Sequence, residues 1–199
     1  MATGACEWQA DISLPIMSNT ENSLIAASVG VHRAPVGSGA ADRNYFMVIQ
    51  FDISQSPPVL THFGLIGDCT NTGDSSQFMG VEISSNGEYL LLGHFHSYRA
   101  HFHDINDSEQ PTNDLISSHS PVAFLLHYAN NFTFVDSYLE PSDSVSVGIR
   151  TDPVHKFLWA TFVRPSTTQT DYVEFTSYRI SDDLSIHSKA SILSQLPDE

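Results

Sequence analysis

The stretch Val81-Glu82-Ile83-Ser84-Ser85-Asn86-Gly87-Glu88-Tyr89-Leu90-Leu91-Leu92 decides how this chain is read. A short apolar segment runs into a polar turn, and an aromatic residue then opens a second, continuous apolar segment. Short apolar runs bounded by Ser, Asn and Gly signal strands joined by a tight turn rather than a helix. The same order returns at Val147-Gly148-Ile149-Arg150-Thr151-Asp152-Pro153-Val154-His155-Lys156-Phe157-Leu158-Trp159, and more loosely between Ile12 and Ala27. Such repetition governs the fold, because a repeated supersecondary unit buries its apolar face against its neighbours.

Each copy is followed by a second hairpin. These are Phe46 to Ile53 with Val59 to Ile66, Val122 to Tyr128 with Phe132 to Leu139, and Tyr172 to Ile180 with Leu184 to Leu193. Few segments carry a helical period. The chain is therefore expected to be all-β, a single domain over 1–199 with about three four-stranded antiparallel units at 8–67, 78–139 and 144–193. A His-rich loop at 97–120 reads as an insertion in the second unit.

This arrangement resembles the β-propeller proteins of the lactonase-like and WD-type superfamilies, with Ser84-Ser85-Asn86-Gly87-Glu88-Tyr89-Leu90 at the turn joining two inner strands of a blade. The resemblance covers most of the chain and rests on generic features. No Trp-Asp dipeptide ends a strand, no Gly-His pair opens each repeat, and Gly93-His94 falls inside a strand. It implies a fold and transfers no active site. Propellers have about four to eight blades, and three do not close a ring. Completion by a second copy, giving six blades, or by a partner protein is one expectation. Shorter blades closing within the chain, and a β-sandwich with the same strand and turn signals, are the alternatives.

Composition narrows the partners. Hydrophobic residues make up 41% of 199, enough for a core, and no apolar run approaches the roughly 20 residues of a membrane span. The start, Met1-Ala2-Thr3-Gly4-Ala5-Cys6-Glu7, lacks the basic-then-apolar order of a secretory signal. Cys6 and Cys69 alone make no disulfide framework. Both features point to an intracellular or assembly-bound location. The net charge is −15, and Lys156 and Lys189 are the only lysines. Phosphate backbones are held by Lys and Arg, so nucleic acid is not an expected partner.

Turns at the ends of the units are short, whereas the middle connections, Val31 to Asn44, Ser97 to Pro121 and Arg164 to Asp171, are longer. In a meander these longer connections share one end of the sheet, which marks that end as the candidate binding face. The longest begins with His94-Phe95-His96-Ser97-Tyr98-Arg99-Ala100-His101-Phe102-His103-Asp104. Residues two apart on a strand share a face. With a four-residue turn at Ser97 to Ala100, His96 stands opposite His101 and His94 opposite His103. Four imidazoles on one face suit zinc, nickel or copper. The same pattern also fits a ribbon of solvated imidazoles backed by Phe95 and Phe102, or an acid-triggered switch. Asp104, Asn106, Asp107, Glu109, Asn113 and Asp114 offer oxygen ligands of the kind Ca²⁺ takes, though without EF-hand spacing, and ordinary turn polarity explains them equally. Asp68, Asn71 and Asp74 read as turn residues, and Trp8 and Trp159 as packing residues.

No nucleophile elbow, phosphate-binding glycine loop or His-Glu-x-x-His zinc motif is present in the sequence. The leading expectation is a non-catalytic interaction or structural scaffold within a larger assembly, with a virion or appendage component as one such setting. A lactonase-like or other metal-assisted hydrolase, and a lectin with Tyr98 as a contact, are the alternatives.

Overall fold

The computed structural model describes residues 11–12, 16–32, 42–70, 76–84, 87–107, 113–118, 121–141, 143–152, 157–166, 172–181 and 186–195. Fifteen strands and no helix occur among them: β1 Asp11–Ile12, β2 Ile16–Asn19, β3 Ser23–His32, β4 Arg43–Asp52, β5 Val59–Thr70, β6 Gln77–Ile83, β7 Tyr89–Phe95 and β8 Arg99–Phe102. They continue as β9 Asn113–Ile116, β10 Val122–Tyr128, β11 Phe134–Leu139, β12 Val145–Asp152, β13 Phe157–Pro165, β14 Tyr172–Ile180 and β15 Ile186–Gln195. The all-β expectation holds, and every strand pairing is antiparallel.

The strands form three sheets. The second sheet has the order β11-β10-β7-β6 and the third β12-β13-β14-β15, each four-stranded. The first sheet has seven strands, β1-β3-β4-β5-β8-β9 with β2 also paired to β3. Here the sequence expectation needs correction. The segment 97–120 is not simply a loop, because β8 and β9 leave the second unit and extend the first sheet along the β5 edge. Pairing covers an edge whose open backbone groups would otherwise invite foreign strands.

Two cores separate the sheets. Ile25, Ala27, Phe46, Val48 and Ile66 of the first sheet meet Phe78, Leu91, Phe95, Phe124 and Leu126 of the second. On the other side, Leu90, Leu92, Ala123 and Leu125 meet Ile149, Ala160, Phe162, Tyr178 and Ile180 of the third. The second sheet is thus covered on both faces, and every residue of β7 and β10 is buried. That is why Leu90-Leu91-Leu92 is continuous where a one-sided strand would alternate. Phe46 sits edge-on to Phe124 at 5.7 Å and to Phe78 at 5.2 Å, the arrangement the ring quadrupoles favour. Gly80 leaves room for Ile149, whose Cγ2 lies 2.4 Å from where a Cβ would stand, so the second and third sheets approach closely there.

The hairpins close as their sequences dictate. Ser84 and Glu88 bond across the β6–β7 turn, and Gly87 adopts φ +80, the left-handed region that glycine enters without a Cβ clash. In the β10–β11 turn Phe132 takes φ 60 and stacks on Tyr89 with centroids 4.5 Å apart. Most of the longer connections, at 33–41, 108–112, 119–120 and 167–171, lie outside the described residues. So do Cys6, Trp8, Asn71, Asp74, Glu109 and the turn at 153–156.

Candidate functional site: two histidine pairs and a pocket on the first sheet

The chain crosses from one sheet to another between the two halves of the histidine motif. His94, on β7, pairs with Gln77 and Ala123 in the second sheet. His101, on β8, pairs with Asp68 and Asp114 in the first. The register expected from the sequence, His96 opposite His101 and His94 opposite His103, does not form, because the pairing partners of β8 are β5 and β9 rather than β7. Two pairs result instead of one cluster of four.

His94 and His96 lie 5.6 Å apart between ring centroids. His94 points to the third-sheet side, where its Nδ1 meets the Ser146 hydroxyl at 3.1 Å. It is 8% exposed. Burial, with a smaller contribution from the neighbouring His96, lowers its pKa from 6.5 to about 4.

His101 and His103 behave differently. The Nδ1 of His101 lies 2.5 Å from Asp114 Oδ1, while Arg99 bonds the other carboxylate oxygen of Asp114. The Arg99 bond, followed by that of His101, holds the Asp114 carboxyl below its ordinary range. An ionised carboxylate only accepts, so His101 Nδ1 is the donor. The Nδ1 of His103 donates to the Asp104 carbonyl at 2.7 Å. The His103 backbone is fixed in turn, its N–H bonded to the Ile66 carbonyl at 2.9 Å and its carbonyl accepting from the Tyr128 hydroxyl at 3.2 Å.

Both imidazoles line a cavity of about 210 Å³ on the outer face of the first sheet, together with Arg43, Tyr45, Leu65 and Asp68. Arg43 and Asp68 form an ion pair at its rim. The oxygen-bearing residues beside it are occupied locally. Asp104 Oδ1 accepts from the Phe134 N–H at 2.7 Å, and the Asn106 side chain bonds Leu65 N–H and Phe63 C=O at 3.2 and 3.1 Å. Among the described residues no three His, Cys, Asp or Glu side chains gather closely enough to hold a metal ion as they stand. Tyr98 is 69% exposed beside β8.

One polar cluster carries no sequence signal. Glu140, 1% exposed, accepts from the hydroxyls of Tyr138 and Tyr178 at 3.2 and 3.4 Å and lies 3.4 Å from Arg164. Arg164 also meets Glu174 at 2.8 Å. These residues come from three separate strands and the segment after β11, so no spacing announces them. Burial, then the Glu140 charge, pushes the Tyr138 hydroxyl far above its usual range.

Each outer face of the stack carries exposed apolar side chains among polar ones. Met17 and Phe63 stand 61% and 63% exposed on the first sheet, across from Ala26 and Ile49 in register. On the third sheet Val147, Trp159, Phe175 and Ile192 are exposed, and Val145, Val163 and Val173 line a depression of about 280 Å³ together with Asp143, Ser144 and Arg164. Trp159, expected in packing, therefore belongs to this open face. No family model, curated protein or solved structure matches this chain. Among the described residues no helix is long and apolar enough to cross a membrane.

Proposed function

We propose that this chain is a non-catalytic assembly module whose two outer sheet faces are covered by further copies of itself. The observation that carries this reading is the exposed apolar side chains, Met17 and Phe63 at one end and Trp159, Phe175 and Ile192 at the other, of one three-sheet stack. A monomer seldom leaves large contiguous apolar patches open, and such patches mark interaction surfaces.

The dimensions suit a second copy. Strands lie about 4.8 Å apart and rise about 3.3 Å per residue. A four-stranded face with strands like β13 and β14, nine residues each, therefore spans roughly 19 by 30 Å. Side-chain relief brings such a face near the about 800 Å² per partner of a standard interface. Shape favours a contact between unlike faces, with the projecting Phe63 side of one copy against the Val145–Val163–Val173 depression of the next. Two stacks of three sheets joined at both ends make a ring of six, within the range of closed propellers. The net charge of −15 opposes crowding of copies, so association by this route strengthens as salt screens the repulsion.

Light scattering behind a sizing column tests this. A mass near twice 21.9 kDa, rising in fraction with salt, is the expected result. A monomer at every protein and salt concentration overturns it.

A further inference from the structure

We infer that the pocket of His101 and His103 is a two-imidazole site for a divalent transition cation such as Zn²⁺, with both imidazoles supplied by one chain. The two residues are two apart on one extended segment, so their rings project from the same face into one cavity. In each ring Nδ1 is a donor to a fixed oxygen, the Asp114 carboxylate for His101 and the Asp104 carbonyl for His103. A neutral imidazole carries one N–H, so the proton sits on Nδ1 and Nε2 keeps its lone pair. Both pocket rings thus hold the tautomer that ligates a metal through Nε2.

A carboxylate or carbonyl behind Nδ1 is the outer arrangement that orients metal-ligating histidines and raises their basicity. Here it is present at both rings, and Arg99 secures Asp114 in turn. Borderline cations that favour imidazole, Zn²⁺, Cu²⁺ and Ni²⁺, are the matching class. Asp68 is the cross-strand partner of His101 and lines the same pocket. Its carboxylate is neutralised by Arg43, which lines the same pocket, so the two imidazoles supply the protein ligands and water fills the remaining coordination positions. At His94 the surroundings differ. His94 Nδ1 faces a hydroxyl, which donates or accepts, and its ring lies in the packed layer between two sheets.

Calorimetric titration with Zn²⁺, and the visible spectrum of Co²⁺ as a coloured probe, decide the matter on the folded full chain. One saturable ion per chain is expected. It should vanish in His101→Ala/His103→Ala, persist in His94→Gln/His96→Gln, and weaken about 10- to 100-fold in Asp114→Asn. Because Asp114→Asn retains both rings, its loss of affinity with an unchanged far-ultraviolet spectrum separates metal binding from misfolding. Absence of binding to the wild type, or unchanged binding in the His101/His103 double variant, overturns the inference.

Discussion

The second and third sheets are both four-stranded antiparallel meanders, yet they live in opposite environments. Every residue of β7 and β10 is buried. On the third sheet one face packs Ile149, Phe162 and Tyr178 into the core, while the other shows Trp159, Phe175 and Ile192 to solvent. The same topology therefore makes a middle layer in one place and an end plate in another. The difference lies in what covers each face. It explains why polarity is tolerated so differently: His94 in the middle layer loses its readiness to protonate, whereas Arg150 on the third sheet stands 82% exposed.

The contrast is most strongly tested by truncating one aromatic residue from each environment. Phe124→Ala removes a ring contacting Phe46, Phe78, Phe95 and Phe102, and should cost about 3–5 kcal/mol in urea unfolding. Phe175→Ala, at 38% exposure, should cost less than about 1 kcal/mol when measured on dilute monomer. Equal losses would mean that the third sheet is no end plate.

Acid gives the next largest effect. In the unfolded chain His94 protonates near 6.5, but in the folded chain only near 4. Above 6.5 neither state carries the proton and nothing is lost. As pH falls from 6.5 to about 4 the unfolded state gains protons first, and stability declines by about 3 kcal/mol from this group, levelling below its folded pKa. His94→Gln should flatten that part of the wild-type profile. A difference between the two proteins that does not change across this interval would place His94 in water rather than in the layer.

The smallest effect on folding is expected at the end plates themselves. Phe175→Glu should alter the unfolding free energy by about 0.5 kcal/mol or less. It should nevertheless shift the light-scattering mass toward 21.9 kDa, because an interfacial charge without a partner is costly to bury. Loss of folding with no change in association would reverse the roles assigned to the two faces.

Much of the fold was legible in the residues. The alternating and continuous apolar runs located the main hairpins, and Ser84 to Glu88 announced its turn through Gly87, whose φ of +80 suits glycine. The histidine motif was visible, but its geometry was not. A local hairpin and a crossing between sheets place the same residues in extended backbone, and the sequence pattern between Phe95 and Arg99 is compatible with both. The partners that decide, Asp68 thirty-three positions before His101 and Asp114 thirteen after it, are cross-strand neighbours. The Glu140 cluster was illegible for the same reason, since its carboxylate meets Tyr178 and Arg164 from other strands.

By itself the sequence determined that this chain makes antiparallel strands, where many of them turn, and that three such groups need covering. These properties follow from side-chain period and turn chemistry, which act over a few residues. Only the tertiary structure decided that β8 and β9 complete the first sheet, that the second sheet is the middle layer, and that His101 and His103 share a pocket without His94 and His96. Those outcomes depend on which open edge and which apolar face a segment meets, and backbone hydrogen bonds between strands impose no limit on separation along the chain.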